Sequence, residues 1–282
     1  MPSIRLWVPE SDYDRTAVGC IANKIVALYG GNITIKLGDK QGFNRATNPK
    51  IQDGLKKAVD AYLKNDILVI FLLDSDGIES QNQRRREKNS LVNRIEEVVN
   101  LFEGRVKYFP MVQELEAWLL VDYLGICCFF TKNDHRNNQE WIKFAKSKQR
   151  GQTDLIAEAE SGGRGAKEFL VKASQEILIK HNPNLRDKPK NLKESQYEES
   201  QSSKIAEYIK IDYETLGRNK SLLDFANCLH QLDAYFFIFS IYESLGLVDI
   251  NSSHLHTKLV LFLYKKSIFL YPIELYYHIF NV

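Results

Sequence analysis

Cysteine is scarce in this sequence, with four residues in a chain of 282. The four (Cys20, Cys127, Cys128 and Cys228) do not have the paired spacing of zinc ligands. They are also too few for a fold held together by disulfides. We therefore expect a reduced, intracellular compartment and a cytoplasmic protein.

The chain also has almost no net charge. Its 38 Lys and Arg residues and 36 Asp and Glu residues leave a formal charge of +2. Without an overall positive field, the protein could bind nucleic acid only through local basic clusters. The hydrophobic share of 44% and the charged share of 26% are those of an ordinary soluble globular protein.

No uninterrupted apolar run is long enough to cross a membrane. Residues 1–14 lack the apolar core of a signal peptide. Segments 259–264 and 267–280 are rich in apolar residues, but charged residues and a proline interrupt them. We therefore predict no membrane association. This C-terminal tail is expected either to complete a helical core or to dock on a partner.

The rest of the chain is organised around residues 65–77, NDILVIFLLDSDG. An unbroken apolar run of this length predicts a strand buried on both faces, as in a parallel sheet. The run ends in Asp74 and Asp76, which point the same way on an extended backbone and can approach one cation. Ligands of open α/β sheets bind beyond the carboxyl ends of the strands. The alternative is a turn that uses Asp and Gly for local hydrogen bonds.

Strand and helix patterns alternate through the first half of the chain. Strands are predicted at 4–8, 32–37, 67–73 and 105–109, and helices after Ser11 and at 51–63, 90–102 and 113–122. This order predicts an α/β fold: a Rossmann-like, mostly parallel sheet with helices on both faces. Strand patterns fade after residue 125. We therefore predict two domains, an α/β domain at 1–125 and a mainly α-helical domain at 126–282.

Four carboxylates are predicted at one edge of this sheet. Glu10 follows the first strand, Asp74 and Asp76 the third, and Glu116 the fourth. Such a cluster would repel itself unless a divalent cation neutralised it, and oxygen ligands favour Mg²⁺ or Mn²⁺ over zinc. Two such ions suit the in-line displacement of a phosphodiester. Glu114 is expected to share a helix with Glu116 and to point away from it. The alternative for both glutamates is a helix-start carboxylate that interacts with the helix dipole.

Basic residues flank the predicted edge in two polar loops. They are Lys40, Arg45, Arg84, Arg85 and Arg86. Side chains of this kind bind phosphate backbones without reading the base sequence. The alternative is a solvated loop without a binding role.

The acidic pattern resembles that of the Toprim domain, which is shared by topoisomerases, primases and the overcoming-lysogenisation-defect nucleases. The matching residues are Glu10-Ser-Asp-Tyr-Asp14 before a helix and Asp74-Ser-Asp76 at the end of a buried strand. Ser11 departs from the family pattern, which usually has a glycine after the glutamate. The segment 112–122, VQELEAWLLVD, resembles a subfamily of small Toprim-like proteins of undetermined role. Segments 189–190 and 221–225 are similar to the helical tail of that subfamily.

The resemblance implies a Mg²⁺-dependent nuclease that hydrolyses RNA or DNA. It assigns catalysis to Glu10, Asp74 and Asp76, metal binding to these three with Glu116, and supporting roles to Asp14 and Glu114. Proteins of this kind are often encoded beside ABC-type ATPases in bacterial antiviral loci. The chain is thus expected to be the toxic effector subunit of a bacterial anti-phage system, controlled by an ATPase partner. Whether it also forms a homo-oligomer is left open.

Two other functions remain open at this stage. A Toprim-like domain could be a non-catalytic interaction module that regulates an ATPase. Alternatively, Asp74-Ser-Asp76-Gly77-Ile78 resembles the nucleophile motif of haloacid-dehalogenase phosphatases. That family usually has threonine in place of Ile78 and carries the motif on its first strand, which makes the phosphatase the weaker alternative.

Overall fold

The computed structural model describes residues 1–8, 11–39, 50–74, 86, 90–102, 104–112, 114–149 and 165–244. Six residues that the sequence predicts in the site lie outside these ranges: Glu10, Lys40, Arg45, Asp76, Arg84 and Arg85. The C-terminal tail at 259–280 lies outside them as well.

The described strands form one four-stranded parallel sheet. They are β1 (Ser3–Trp7), β2 (Thr34–Leu37), β3 (Leu68–Asp74) and β4 (Val106–Met111). Their order in the sheet is β2-β1-β3-β4, and each neighbouring pair is parallel. The predicted α/β class and parallel sheet are therefore confirmed.

Strand β3 is buried on both faces, as its unbroken apolar sequence predicts. Alternate side chains of a strand point to opposite faces of the sheet. Leu68, Ile70 and Leu72 accordingly enter one hydrophobic cluster, and Val69, Phe71 and Leu73 enter the other. This double burial holds the carboxyl end of β3, and with it Asp74, in a fixed position.

In the described part of residues 1–102, helices cover both faces of the sheet. Helix α1 (Asp12–Tyr29) begins after Ser11, whose side chain accepts hydrogen bonds from the backbone N–H groups of Tyr13 and Asp14. It ends at Gly30, whose φ of +129° favours a residue without a Cβ. Helix α1 packs in the first cluster, whereas α2 (Lys50–Tyr62) and α3 (Leu91–Leu101) pack in the second.

The chain beyond the sheet is helical in the described ranges, where no strand follows β4. Its helices are α4 (Leu115–Leu119), α5 (Tyr123–Thr131), α6 (Gln139–Lys148), α7 (Ala166–His181), α8 (Pro189–Ser195), α9 (Ser202–Tyr208), α10 (Tyr213–Leu216) and α11 (Lys220–Ser244), with 3₁₀ turns at Pro183–Leu185 and Glu199–Gln201.

These helices share a hydrophobic core with one face of the sheet. The first cluster contains Ile4 and Ile70 of the sheet together with Leu170, Ile205 and Phe225 of the later helices. The predicted domain boundary at residue 125 falls within helix α5. By their contacts, residues 1–236 form one compact unit and 237–282 a second, of which the structure describes only the end of α11.

None of the helices in the described part of the chain has both the length and the hydropathy that a membrane span requires.

Candidate active site at the carboxyl edge of the sheet

Asp74 is the last residue of strand β3 and lies opposite Met111, the last residue of β4. Its side chain is partly exposed, whereas the six residues before it in the strand are buried. Asp74 is therefore at the carboxyl edge of the sheet, where ligands of open α/β sheets bind. The sequence predicts this position from the end of the apolar run.

Glu114 precedes helix α4 and is not part of it, so the prediction that it shares a helix with Glu116 is wrong. The chain turns at Glu114 with a φ of +107°, a conformation that costs free energy in a residue with a Cβ. This turn directs the Glu114 carboxylate toward the start of helix α7. A Cβ atom on Gly165, which precedes that helix, would lie 3.9 Å from Glu114 Oε2.

Glu116 lies in the first turn of helix α4 and is only 6% exposed. Its Oε1 atom accepts a hydrogen bond from the Tyr197 hydroxyl at 2.7 Å. Burial raises the pKa of the Glu116 carboxyl above its ordinary value, and the hydrogen bond from Tyr197 partly offsets that rise. Glu116 is thus a buried carboxylate with one oxygen held by a tyrosine from the helical region.

Tyr197 is a site residue that sequence reasoning missed. It lies between helices α8 and α9 and is 2% exposed. Burial and the neighbouring Glu116 raise the pKa of its hydroxyl far above the ordinary value. The hydroxyl therefore stays protonated and acts as a hydrogen-bond donor. The sequence around Tyr197 is polar and resembles a disordered linker. The one available indication was that Tyr197 is the only aromatic residue between 188 and 204.

Lys167, in the first turn of helix α7, brings a positive charge near Glu114 and Glu116. Its Nζ atom donates a hydrogen bond to Glu199, and this bond raises the pKa of Lys167. Glu116 and Glu114 add to the rise through their negative charges. The Lys167 side chain is 40% exposed, and its ammonium group is paired with Glu199.

Asp14, in the first turn of helix α1, lies near the same group of residues. Its negative charge contributes to the raised pKa of Tyr197. Three predicted carboxylates therefore interact with residues of the helical region: Asp14 and Glu116 with Tyr197, and Glu114 and Glu116 with Lys167.

A complete metal site is not formed by the residues that the structure describes. Among them, no group of three or more His, Cys, Asp or Glu side chains is arranged to hold a metal ion. Two of the four predicted ligands, Glu10 and Asp76, lie outside the described ranges. Asp74 and Glu116 have the carboxylate oxygens that Mg²⁺ and Mn²⁺ prefer. The donor chemistry thus fits a hard divalent cation, and the described part of the chain supplies half of the predicted set.

Of the five predicted nucleic-acid-binding residues, the structure describes Arg86, whose side chain is exposed. An exposed guanidinium group can bind a phosphate through two parallel hydrogen bonds. The other four basic residues lie outside the described ranges, and their role in binding nucleic acid stays a prediction.

No family model matches this chain, and comparisons with curated proteins and with solved structures find no similar protein. The likeness to the Toprim domain therefore depends on the sequence pattern around residues 10–14, 74–76 and 112–122.

Proposed function

We propose that this chain is a Mg²⁺-dependent nuclease of the Toprim type, which hydrolyses phosphodiester bonds in RNA or DNA. The observation that carries the proposal is the position of Asp74. It ends a strand that is buried on both faces, beside the end of β4, which leads into the buried Glu116. An acidic edge of this kind on a parallel sheet suits an ion that binds a phosphate.

Each acidic residue has a defined role in this proposal. Glu10, Asp74 and Asp76, assisted by Glu116, would hold Mg²⁺ or Mn²⁺, and the bound cation supplies positive charge that offsets the charge on the phosphate. Glu10 is also the candidate general base that takes a proton from the attacking water.

Positive side chains would hold the substrate at this edge. Lys167 has a partly exposed side chain and feels the charges of Glu114 and Glu116, and its ammonium group would exchange Glu199 for a phosphate oxygen. Arg86, with Arg84, Arg85, Lys40 and Arg45, would bind the backbone away from the scissile bond without selecting a sequence.

A partner would control this activity. The resemblance to small Toprim-like proteins supports an ABC-type ATPase as the partner and a role as the toxic effector of a bacterial anti-phage system. The apolar tail at 259–280 is the proposed docking segment, because aromatic residues of this kind are enriched in interface cores.

The second candidate is a non-catalytic module that regulates an ATPase. One observation favours it: an oxygen of Glu116 is already engaged by the Tyr197 hydroxyl. In this candidate the carboxylates have a structural role, and the exposed basic residues bind a partner.

Cleavage of a nucleic-acid panel separates these functions. The wild-type protein would be incubated with single-stranded and duplex DNA, transfer RNA and unstructured RNA, in Mg²⁺ or in EDTA. p-Nitrophenyl phosphate would serve as the phosphatase substrate. The nuclease proposal predicts cleavage of at least one nucleic acid in Mg²⁺ and none in EDTA. Release of p-nitrophenol without nucleic-acid cleavage would favour the phosphatase. If neither occurs, with or without the ATPase, the non-catalytic module is favoured.

A further inference from the structure

We infer that Tyr197 is a positioning residue that holds the Glu116 carboxylate in the orientation needed to bind a divalent cation. The helical region would then complete the metal site and not only dock on a partner. This inference rests on the proposed function, in which Glu116 assists the binding of Mg²⁺ or Mn²⁺.

The first support is the contact itself. The Tyr197 hydroxyl donates to Glu116 Oε1 at 2.7 Å, and both residues are buried. A hydrogen bond shielded from water holds its partners in a narrower range of orientations than an exposed one does. The Oε1 atom of Glu116 is thus held by a residue 81 positions later in the chain.

The second support is that Tyr197 is itself held in place by helix α7. Its backbone N–H donates to the Ser174 hydroxyl at 2.8 Å, and that hydroxyl donates to the Val171 carbonyl at 2.6 Å. The neighbouring Gln196 accepts a hydrogen bond from Gln175 of the same helix. Helix α7 also carries Lys167, so one helix positions two residues near Glu116.

The third support is the general chemistry of metal ligands. Groups that hydrogen-bond to a ligating carboxylate orient it, and their loss typically weakens metal binding by roughly 10–100-fold. Tyr197 is placed to act in this way on Glu116. It would not contact the ion or the substrate, and its effect would pass through Glu116 alone.

The test uses the full-length protein and the substitution Tyr197→Phe, which removes the hydroxyl and keeps the buried ring. Tyr123→Phe is the matched control, because Tyr123 is 1% exposed and, among the described residues, its hydroxyl has no hydrogen-bond partner. The measurement is the dissociation constant for Mn²⁺ by isothermal titration calorimetry, with a melting curve of each variant in EDTA.

We expect Tyr197→Phe to raise the Mn²⁺ dissociation constant by roughly 10–100-fold and Tyr123→Phe to leave it unchanged. Glu116→Gln sets the upper limit of the effect, because a residue that acts through Glu116 cannot cost more than the Glu116 charge does. Loss of Mn²⁺ binding in Tyr197→Phe, within that limit and with the fold retained, supports the inference.

Three results would overturn it. If Tyr197→Phe melts at a lower temperature but binds Mn²⁺ like the wild type, Tyr197 has only a structural role. If Glu116→Gln binds Mn²⁺ normally, Glu116 is not a ligand. In both cases the proposed nuclease function stands, because Asp74 and the other carboxylates still bind the ion. If the wild-type protein binds no Mn²⁺, the proposed metal site fails and the inference fails with it.

Discussion

Lys24 of helix α1 donates a hydrogen bond from Nζ to the Ile209 carbonyl oxygen at 2.6 Å. The same ammonium group donates to the carbonyls of Ala206 and Glu207 at 2.7 and 2.8 Å. Lys24 thereby satisfies carbonyl groups at the end of helix α9, which have no partner within the helix. This contact ties the helical region to a helix of the α/β half, next to the segment that carries Tyr197.

Replacing Lys24 tests how much this contact stabilises the fold. Lys24→Met keeps the length of the side chain and removes its charge and its hydrogen bonds. We expect a loss of about 1–3 kcal/mol in the free energy of unfolding, because the α9 carbonyls lose a charged donor. Urea denaturation measures it, with Lys56→Met on the exposed face of α2 as the control. Equal stability of the two variants would contradict the stabilising role of Lys24.

Gly125 is predicted to be intolerant of a side chain. It lies in helix α5, where a Cβ atom would come within 2.8 Å of the Tyr208 carbonyl oxygen and of Ile209 Cα. These are backbone atoms and cannot move aside as a flexible side chain does. We expect Gly125→Ala to cost about 1–3 kcal/mol of stability.

Gly54 is the matched control for this substitution, because it also lies in a helix, α2, and no described atom lies within 4 Å of its Cβ position. Gly54→Ala should raise stability by about 0.5–1 kcal/mol. Thermal melts of the two variants compare the effects. A melting temperature that rises in both would mean that α5 and α9 do not pack as described.

The environment of Asp66 leads us to expect that the free energy of unfolding falls in acid. Its fully buried carboxylate accepts hydrogen bonds from Arg5, Lys36 and Ser3. Burial alone would raise the pKa of Asp66, but these three partners together lower it below the ordinary value of 3.8. The stability that this depressed pKa contributes is therefore complete above pH 3.8 and is lost as the pH falls through the folded-state pKa.

Asp66→Asn tests this linkage, because it keeps the shape and removes the charge. At pH 7 the variant should be less stable by about 1–3 kcal/mol. Below pH 3.8, the ordinary pKa of an Asp side chain, the difference in stability between the wild type and Asp66→Asn should narrow. The reason is that only the wild type has a carboxylate at this position to protonate. Urea denaturation at a series of pH values gives both curves. Parallel curves throughout the acid range would show that Asp66 does not cause the pH dependence.

If the protein binds nucleic acid as proposed, the three arginines at 84–86 should add affinity without a preference for sequence. Replacing all three with Ala should weaken binding to a similar degree for every sequence and flatten its dependence on salt. Fluorescence anisotropy at several salt concentrations measures both effects. Lys56, Lys57 and Lys64 are exposed, and their triple Ala variant removes the same charge from helix α2 and the turn that follows it. If this control loses as much affinity as the arginine variant, the binding is not local to the loop.

The sequence of strands and helices along the first half of the chain could be predicted, because local patterns determine it. The run before Asp74 is short and apolar without a break, which suits a strand covered on both faces. Ser11 and Gly30 bound helix α1, since a hydroxyl side chain caps a helix start and a residue without a Cβ allows the turn at its end.

The contribution of the helical region to the site could not be predicted, because it depends on tertiary contacts. Tyr197 lies in a polar segment and becomes buried only because helix α7 and Glu116 are its neighbours. Glu114 adopts a positive φ that glutamate rarely takes, and no residue in its sequence neighbourhood predicts it. The core that the sheet shares with the later helices was also not apparent, since apolar periodicity shows which face is buried but not against which element.

The central claim is that the carboxylates at the sheet edge perform Mg²⁺-dependent cleavage. The most direct measurement is the initial rate of nucleic-acid cleavage in Mg²⁺ by the wild type, Asp74→Asn and Glu10→Ala. Asp60→Asn, on the exposed face of helix α2, is the charge-matched control. We predict that Asp74→Asn and Glu10→Ala fold like the wild type and lose cleavage, whereas Asp60→Asn cleaves normally. Full cleavage by both Asp74→Asn and Glu10→Ala would contradict the account.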